Sequence, residues 1–339
     1  MDKITLTLKE AYQLAFDTLT AHGISAHQAD AIAVTVMRAE GDECAAHGLF
    51  RIPFYLAALA NKHVDPSAEP VINHAAPGIL RVDAKFGYAP YALKLGIPPL
   101  IKAARSQGIA VLCVNNAYHI AGLWPEVEAI TDADLVGFAF TNALPAVAPV
   151  GGTKALFGTN PMAFGWPRKN APPVVFDQAS SVVSKGDVQL HKRDNKAIPE
   201  GWAVGPDGLS TTDPAAAIAG ALLPFGGHKG SSIALMVELL VGALCGDLFS
   251  FEVAVRDPGT TAPCGGELLI AIDPARCAGG QTRADQDAHA EVLFAQMRAQ
   301  EGVRLPSEHR YAARQRTATE GIKIPASLHE TLQAYLSGS

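Results

Sequence analysis

The motifs that most often mark nucleotide enzymes and hydrolases are missing from this chain. None of its 31 glycines stands two residues from another, so G-x-G-x-x-G cannot occur and the Rossmann fingerprint is excluded. There is no Gly-Lys dipeptide, which removes the P-loop. The G-x-S-x-G elbow and the H-E-x-x-H zinc helix are absent too, since His329-Glu330 has no second His in register. No metal site is expected. The five cysteines, Cys44, Cys113, Cys245, Cys264 and Cys277, form no C-x-x-C pair. An odd number spread this widely excludes a disulfide framework and reads as reduced, buried thiols in a cytoplasmic protein. A basic run is also lacking, and the net charge is −6, which sets aside nucleic acid and anionic membrane surfaces as partners. Residues 1–12 lack the basic-then-apolar order of a signal peptide. The apolar stretch 231–249 is interrupted by Glu238 and Asp247 and reads as a buried helix rather than a membrane span.

What is present is ordinary globular material. The 339 residues are 48% apolar and 18% charged, enough for two or three domains with a sizeable core. Thr7-Leu8-Lys9-Glu10 and Ser25-Ala26-His27-Gln28 fit the capping box, and each precedes a helical stripe. A further helix is expected over 49–60, with Pro53 in its first turn. Apolar runs at 78–84, 108–114, 135–141, 173–177 and 267–273 read as strands. Helices are expected at 89–105 (disturbed by Pro98-Pro99), 125–131 and 231–245. The last sixty residues return to helical patterning at 283–300, 307–317 and 326–336. Strands and helices do not alternate cleanly, so a mixed sheet is expected rather than a parallel one. Residues 1–75 with 280–339 are read as one helical domain built from both termini, and residues 76–279 as the sheet-rich region that binds cofactor and substrate.

Five segments carry candidate chemistry. In Asp42 to Arg51, His47 and Arg51 stand four apart and share a face if the segment is helical. An Arg fork binds a carboxylate, and a His exchanges a proton near neutral pH; a surface ion pair at a helix start is the plainer reading. In Leu222 to Ser232, Gly226-Gly227-His228-Lys229-Gly230 describes either an anion site at a helix N-terminus or a simple turn before a core helix. Asn160-Pro161 marks a turn. Lys185-Gly186-Asp187 holds a lone carboxylate, commonly a turn former. Asn115 to Pro125 runs from a strand end into a helix, with His119 either at a ligand or buried and satisfied.

Taken in order, these segments resemble the malate/L-lactate dehydrogenase-like family, over roughly Thr5 to Ile324. Within it, five stretches are similar to the Δ1-piperideine-2-carboxylate/Δ1-pyrroline-2-carboxylate reductases. They are His47-Gly48-Leu49-Phe50-Arg51-Ile52-Pro53, Leu123-Trp124-Pro125, Leu222 to Ser232, Met236-Val237-Glu238-Leu239-Leu240 and Phe249-Ser250-Phe251-Glu252. The resemblance implies an α/β (α+β) fold with a mixed, mainly antiparallel central sheet, not a Rossmann fold, working as a homodimer. It implies NADPH as cofactor, with NADH as the alternative, and a cyclic imine carboxylate as substrate. His47 matches the proton donor, Asp187 its relay carboxylate, and Arg51 the substrate-carboxylate clamp. Segments matching cofactor contacts are His119, Ile120, Ala121, Gly122 and Leu123; Phe176, Asp177 and Gln178; His228 and Lys229; and Arg304, Leu305, Pro306, Ser307 and Glu308. Two departures stand out. Ala46 replaces the Ser common before the catalytic His, and Pro145 stands where the imine branch tends to carry a polar residue. A cyclic imine that arrives protonated tolerates loss of the Ser better than a ketone does. The rival expectations are a 2-oxoacid reductase of the same fold and a cofactor-binding protein without turnover.

Overall fold

A computed structural model of the chain describes residues 2–257 and 263–337. The elements in chain order are β1 (Lys3–Leu6), α1 (Leu8–Ala21), α2 (Ala26–Gly41), α3 (Ile52–Ala60), β2 (Val71–Ala76), β3 (Ile79–Asp83), α4 (Ala89–Gln107), β4 (Ile109–Tyr118), α5 (Trp124–Thr131), β5 (Val136–Thr141), β6 (Met162–Trp166) and β7 (Val174–Gln178). There follow α6 (Lys185–Arg193), β8 (Ala203–Val204), β9 (Ser210–Thr211), α7 (Pro214–Ala219), β10 (Ala221–Leu222), α8 (His228–Glu238) and α9 (Ser250–Arg256). The chain closes with β11 (Cys264–Ile272), α10 (Pro274–Cys277), α11 (Arg283–Arg298), α12 (Glu308–Glu320), β12 (Ile322–Pro325) and α13 (Ala326–Ser337).

The main sheet has seven strands in the order β2-β3-β4-β11-β5-β6-β7. Only the β3–β4 pair is parallel, so the sheet is mixed and mainly antiparallel, with no Rossmann crossover pattern. Side chains alternate across its central strands as a period of two requires. Leu112, Val114, Leu269 and Ala271 pack toward α4 and α5, while Cys113 and Leu268 face Val237 and Val241 on the α8 side. Both faces are therefore covered. The termini meet separately: β1 pairs antiparallel with β12, and Leu14, Leu19, Ile32, Tyr55, Ile322 and Leu332 share one core.

Some local expectations are adjusted. The Thr7–Glu10 capping box is complete. At the second site Ser25 caps the Gln28 N–H, but the Gln28 side chain turns away to the Asp65 carbonyl and the Tyr88 N–H; long-range backbone groups outcompete the local cap. Helix α4 runs through Pro98 and Pro99 unbroken. Burial of Leu93, Ile97, Leu100 and Ala104 against the sheet offsets the lost backbone bonds. Beyond α8 the backbone widens into a π-helical turn over Leu239–Leu244. No helix among the described residues is long and apolar enough to cross a membrane.

The chain ends are locked to the sheet by one buried charge. The Asp42 carboxylate, at the end of α2, accepts from Arg314 Nε of α12 at 2.5 Å and from the Trp124 indole of α5 at 2.7 Å. Arg314 also pairs with Glu128 at 2.7 Å, and Arg38 meets Glu128 at 2.9 Å. The Asp42 side chain is 1% exposed, so removing it leaves the buried Trp124 indole without its acceptor and Arg314 with Glu128 alone. Asp42→Ala is expected to cost about 1–3 kcal/mol in urea denaturation. Arg316→Ala, in an exposed pair with Glu43, should leave the urea midpoint nearly unchanged. Equal losses for the two would contradict the assignment.

Candidate active site

The segment between α2 and α3 is not the single helix that would put His47 and Arg51 on one face. Ala45–His47 and Leu49–Arg51 are separate 3-10 turns, broken at Gly48. A Cβ at Gly48 would fall on the Glu40 carboxyl, which accepts from the Leu49 N–H at 2.7 Å. Burial pushes that carboxyl up to about 7. Despite the break, His47 and Arg51 line the same cavity, a cleft of about 1150 Å³. That volume exceeds what one small acid fills and suits a dinucleotide beside a substrate.

Arg51 is held by its Nε donating to the Ala46 carbonyl at 2.6 Å and its Nη1 donating to Gln189 Oε1 at 3.2 Å. The guanidinium lies against the Phe50–Phe54 pair, at 5.6 and 5.2 Å from their ring centres. Gly186 leaves room for it, since a Cβ there would meet Arg51 Nη2. Burial lowers Arg51 to about 10, so it stays charged at neutral pH. Lys185 lines the same cleft, lowered by burial and then by Arg51. Among the described residues, neither cation has a carboxylate partner within ion-pair distance.

Asp187 also lines the cleft, but its hydrogen bonds are local: it accepts from the Ser184 hydroxyl at 2.7 Å, closing the start of α6. No hydrogen bond joins it to His47 among the described residues, and the Ala46 methyl faces Gly186. His47 packs edge-on against Trp124 at 5.8 Å, and its buried Nδ1 has no partner among the described residues. Burial, then the Arg51 charge, lowers it to about 3, against a small opposing effect of a hydrogen bond to the Ile120 backbone.

The far wall comes from the end of β4. His119, Ile120, Ala121 and Gly122 line the cleft, while Leu123 is buried beneath it. Asp177, at the end of β7, accepts from the Leu123 and Trp124 N–H groups at 2.7 and 3.1 Å. It thereby caps α5 with a negative charge at the favourable helix end. Asp177 and Gln178 line the cleft; Phe176 stacks on Phe164 instead. His228 and Lys229 are exposed at the start of α8, after Gly226 and Gly227 in left-handed conformations, and it is Phe225 that reaches the cleft. Arg304 is exposed, Leu305 packs with Val174 and Phe294, and Pro306 leads to a buried Ser307 that donates to the Val175 carbonyl. Glu308 pairs with Arg298.

Two cleft residues escaped the sequence reading. Arg310 lies one turn beyond Ser307, donates to the Val175 carbonyl at 3.1 Å and stacks over Trp124 at 5.3 Å. A second arginine near the expected cofactor segment was the available signal. Lys185 stood beside Asp187 in the quoted motif, but only the carboxylate was given a role.

The sequence model of the malate/L-lactate dehydrogenase family matches residues 6–333. The chain is 49% identical over 334 residues to a Δ1-pyrroline-2-carboxylate reductase of Ancylobacter novellus, covering 98% of each. It is also 49% identical over 334 residues to a Δ1-pyrroline-2-carboxylate/Δ1-piperideine-2-carboxylate reductase of Pseudomonas aeruginosa, covering 98% of this chain and 99% of that one. Among solved structures, Δ1-piperideine-2-carboxylate reductase from Pseudomonas syringae superposes with a TM-score of 0.92 at 41% identity, covering 98% of this chain and 99% of that one.

Burial disfavours the imidazolium form of both cleft histidines, with His119 lowered to about 4 and His47 to about 3. Their ring signals should stay flat between pH 5 and 8 by NMR. Unfolded histidines titrate near 6.5, so below that pH the unfolded chain binds protons that the folded chain does not. Stability should then fall on acidification, by about 1.4 kcal/mol per pH unit for each ring. A cleft histidine titrating near pH 6.5 would contradict this.

Proposed function

The chain belongs to the malate/L-lactate dehydrogenase family, and from that premise we propose that it reduces the C=N bond of a cyclic imine 2-carboxylate. The substrates are Δ1-pyrroline-2-carboxylate and Δ1-piperideine-2-carboxylate, the products L-proline and L-pipecolate, and the setting is the cytoplasm. One observation carries the reading: a buried arginine with no ion-pair partner among the described residues, Arg51, shares a cleft with a neutral histidine. Arg51 clamps the substrate carboxylate through its planar fork, and Lys185 adds a second positive charge to that wall. The His47 ring, which lines the cleft, would stand beside the ring nitrogen. A neutral His47 without a relay hydroxyl suits an imine, whose basic nitrogen takes a proton more readily than a ketone oxygen does. A ketone oxygen needs a strong acid as charge develops on it.

The cleft's size fits a dinucleotide, NADPH or alternatively NADH. His119 to Gly122, Asp177 and Gln178 would flank its nicotinamide, and the exposed His228, Lys229 and Arg304, outside the cleft lining, would meet its phosphates. When bound, it supplies the hydride. The chain's own share is orientation and exclusion of water.

A homodimer is part of the proposal. Leu235, Leu239 and Leu244 are exposed along the α8 segment, and Phe251 and Val255 along α9, an apolar surface a second copy would cover. Sedimentation should report a dimer, and Leu239→Asp with Leu244→Asp should weaken it to monomer; a monomeric wild type would overturn this part.

Purified protein should oxidise NADPH with either imine and show little turnover of pyruvate. Arg51→Ala should raise KM for the imine by about 10²-fold, the loss of a charge-assisted pair worth roughly 3 kcal/mol. Preference for pyruvate would transfer the chain to 2-oxoacid reduction, and an unchanged KM would remove the clamp from Arg51.

A further inference from the structure

Behind His119, three buried side chains meet without satisfying one another. His119, Glu126 and Glu267 place ligand atoms within 4.8 Å of each other. His119 Nε2 lies 3.4 Å from Glu267 Oε2, yet no aligned hydrogen bond forms. Among the described residues, His119 Nε2, Glu126 Oε2 and both oxygens of Glu267 have no partner. Exposures are 7% for His119, 6% for Glu126 and 1% for Glu267. The fold builds this cluster deliberately: a β-bulge between Gly265 and Glu267 shifts the β4–β11 register, and Glu126 sits in the first turn of α5. Bulges of this kind re-aim side chains beside functional sites.

We propose that Glu267, with Glu126 beside it, is a proton store that opens onto the substrate cleft through the His119 ring. This rests on the imine reductase reading. Two carboxylates this close and this buried cannot both ionise. Asp177 from β7 and Glu128 of α5 add further negative charge; Arg38 of α2 and Arg310 of α12 oppose them, and His47 lies near His119. Glu267 is accordingly raised well above its ordinary value, and Glu126 rises to about 8, burial being the first cause for both. At neutral pH these are the cluster's proton holders, while both histidines are neutral. An imidazole takes a proton at one ring nitrogen and gives one from the other. As hydride adds to C2 of the unprotonated imine, the electron pair of the C=N π bond moves to nitrogen. The nitrogen takes a proton by way of His119, Glu267 is left as carboxylate, and solvent protons restore it after product leaves.

A substrate that needs no proton separates this role from a structural one. Glu267→Gln keeps the shape and removes the store. Turnover of pyrroline-2-carboxylate should fall by about 10²-fold, while N-methyl-Δ1-pyrrolinium-2-carboxylate, already cationic at nitrogen, should be reduced at nearly the wild-type rate. Equal losses on both would overturn the proposal. In Glu126→Gln the loss of a neighbouring negative charge should move the alkaline limb of the kcat profile to lower pH; a limb that stays put would count against the pairing. A readout without turnover keeps store and substrate reading apart. Infrared spectra of the wild type at pH 7 should contain a buried protonated-carboxyl band that Glu267→Gln removes. Absence of that band, or a stoichiometric divalent metal in the purified protein, would overturn the store. Failure of the wild type on both imines, with the band present, would overturn the imine reading alone.

Discussion

Everything around the cleft hangs on the neutralisation of Asp42. A carboxylate buried this completely is tolerable only with strong donors on both oxygens, and they arrive from α12 and α5. The indole so fixed is the surface against which His47 packs and over which Arg310 lies. The α5 start that carries this indole is in turn capped by Asp177. The first histidine of the site is thus positioned by residues from the beginning, middle and end of the chain. That explains why helices from both termini enclose a sheet they do not join.

Charge is unevenly arranged around the cleft. One wall carries Arg51 and Lys185, without ion-pair partners among the described residues, and Asp187; behind the other, near Asp177 and Arg310, lie Glu126 and Glu267. A carboxylate substrate is drawn to the first wall, where it completes charges the protein leaves open. The second wall holds protons that burial keeps from solvent. The same low dielectric that makes each group costly gives it leverage over a reacting bond.

Much of this was legible beforehand. The runs forming β3, β4, β5, β7 and β11 are apolar and bounded by turns, which is what burial on both faces demands. Strand β2 was not visible, because it is an edge strand with almost every side chain in solvent and so carries no alternation. Strand β6 follows the Asn160-Pro161 turn and was absorbed into it. His47 and Arg51 were found by type and spacing, although the helix assumed between them is broken by the Glu40 carboxyl, a contact no local pattern encodes. Glu267 looked like the first residue of a strand. Its significance depends on His119 and Glu126, far away in the chain and brought near by a bulge.

A crystal structure with NADP⁺ and pyrrole-2-carboxylate, a planar mimic of the imine, tests the central claim most directly. The account predicts the mimic's carboxylate on the Arg51 fork at about 2.7–3.2 Å, its ring nitrogen toward His47, and its C2 about 3–3.5 Å from the nicotinamide carbon. A mimic held away from Arg51, with the nicotinamide outside the cleft lined by His119 and Asp177, would contradict it.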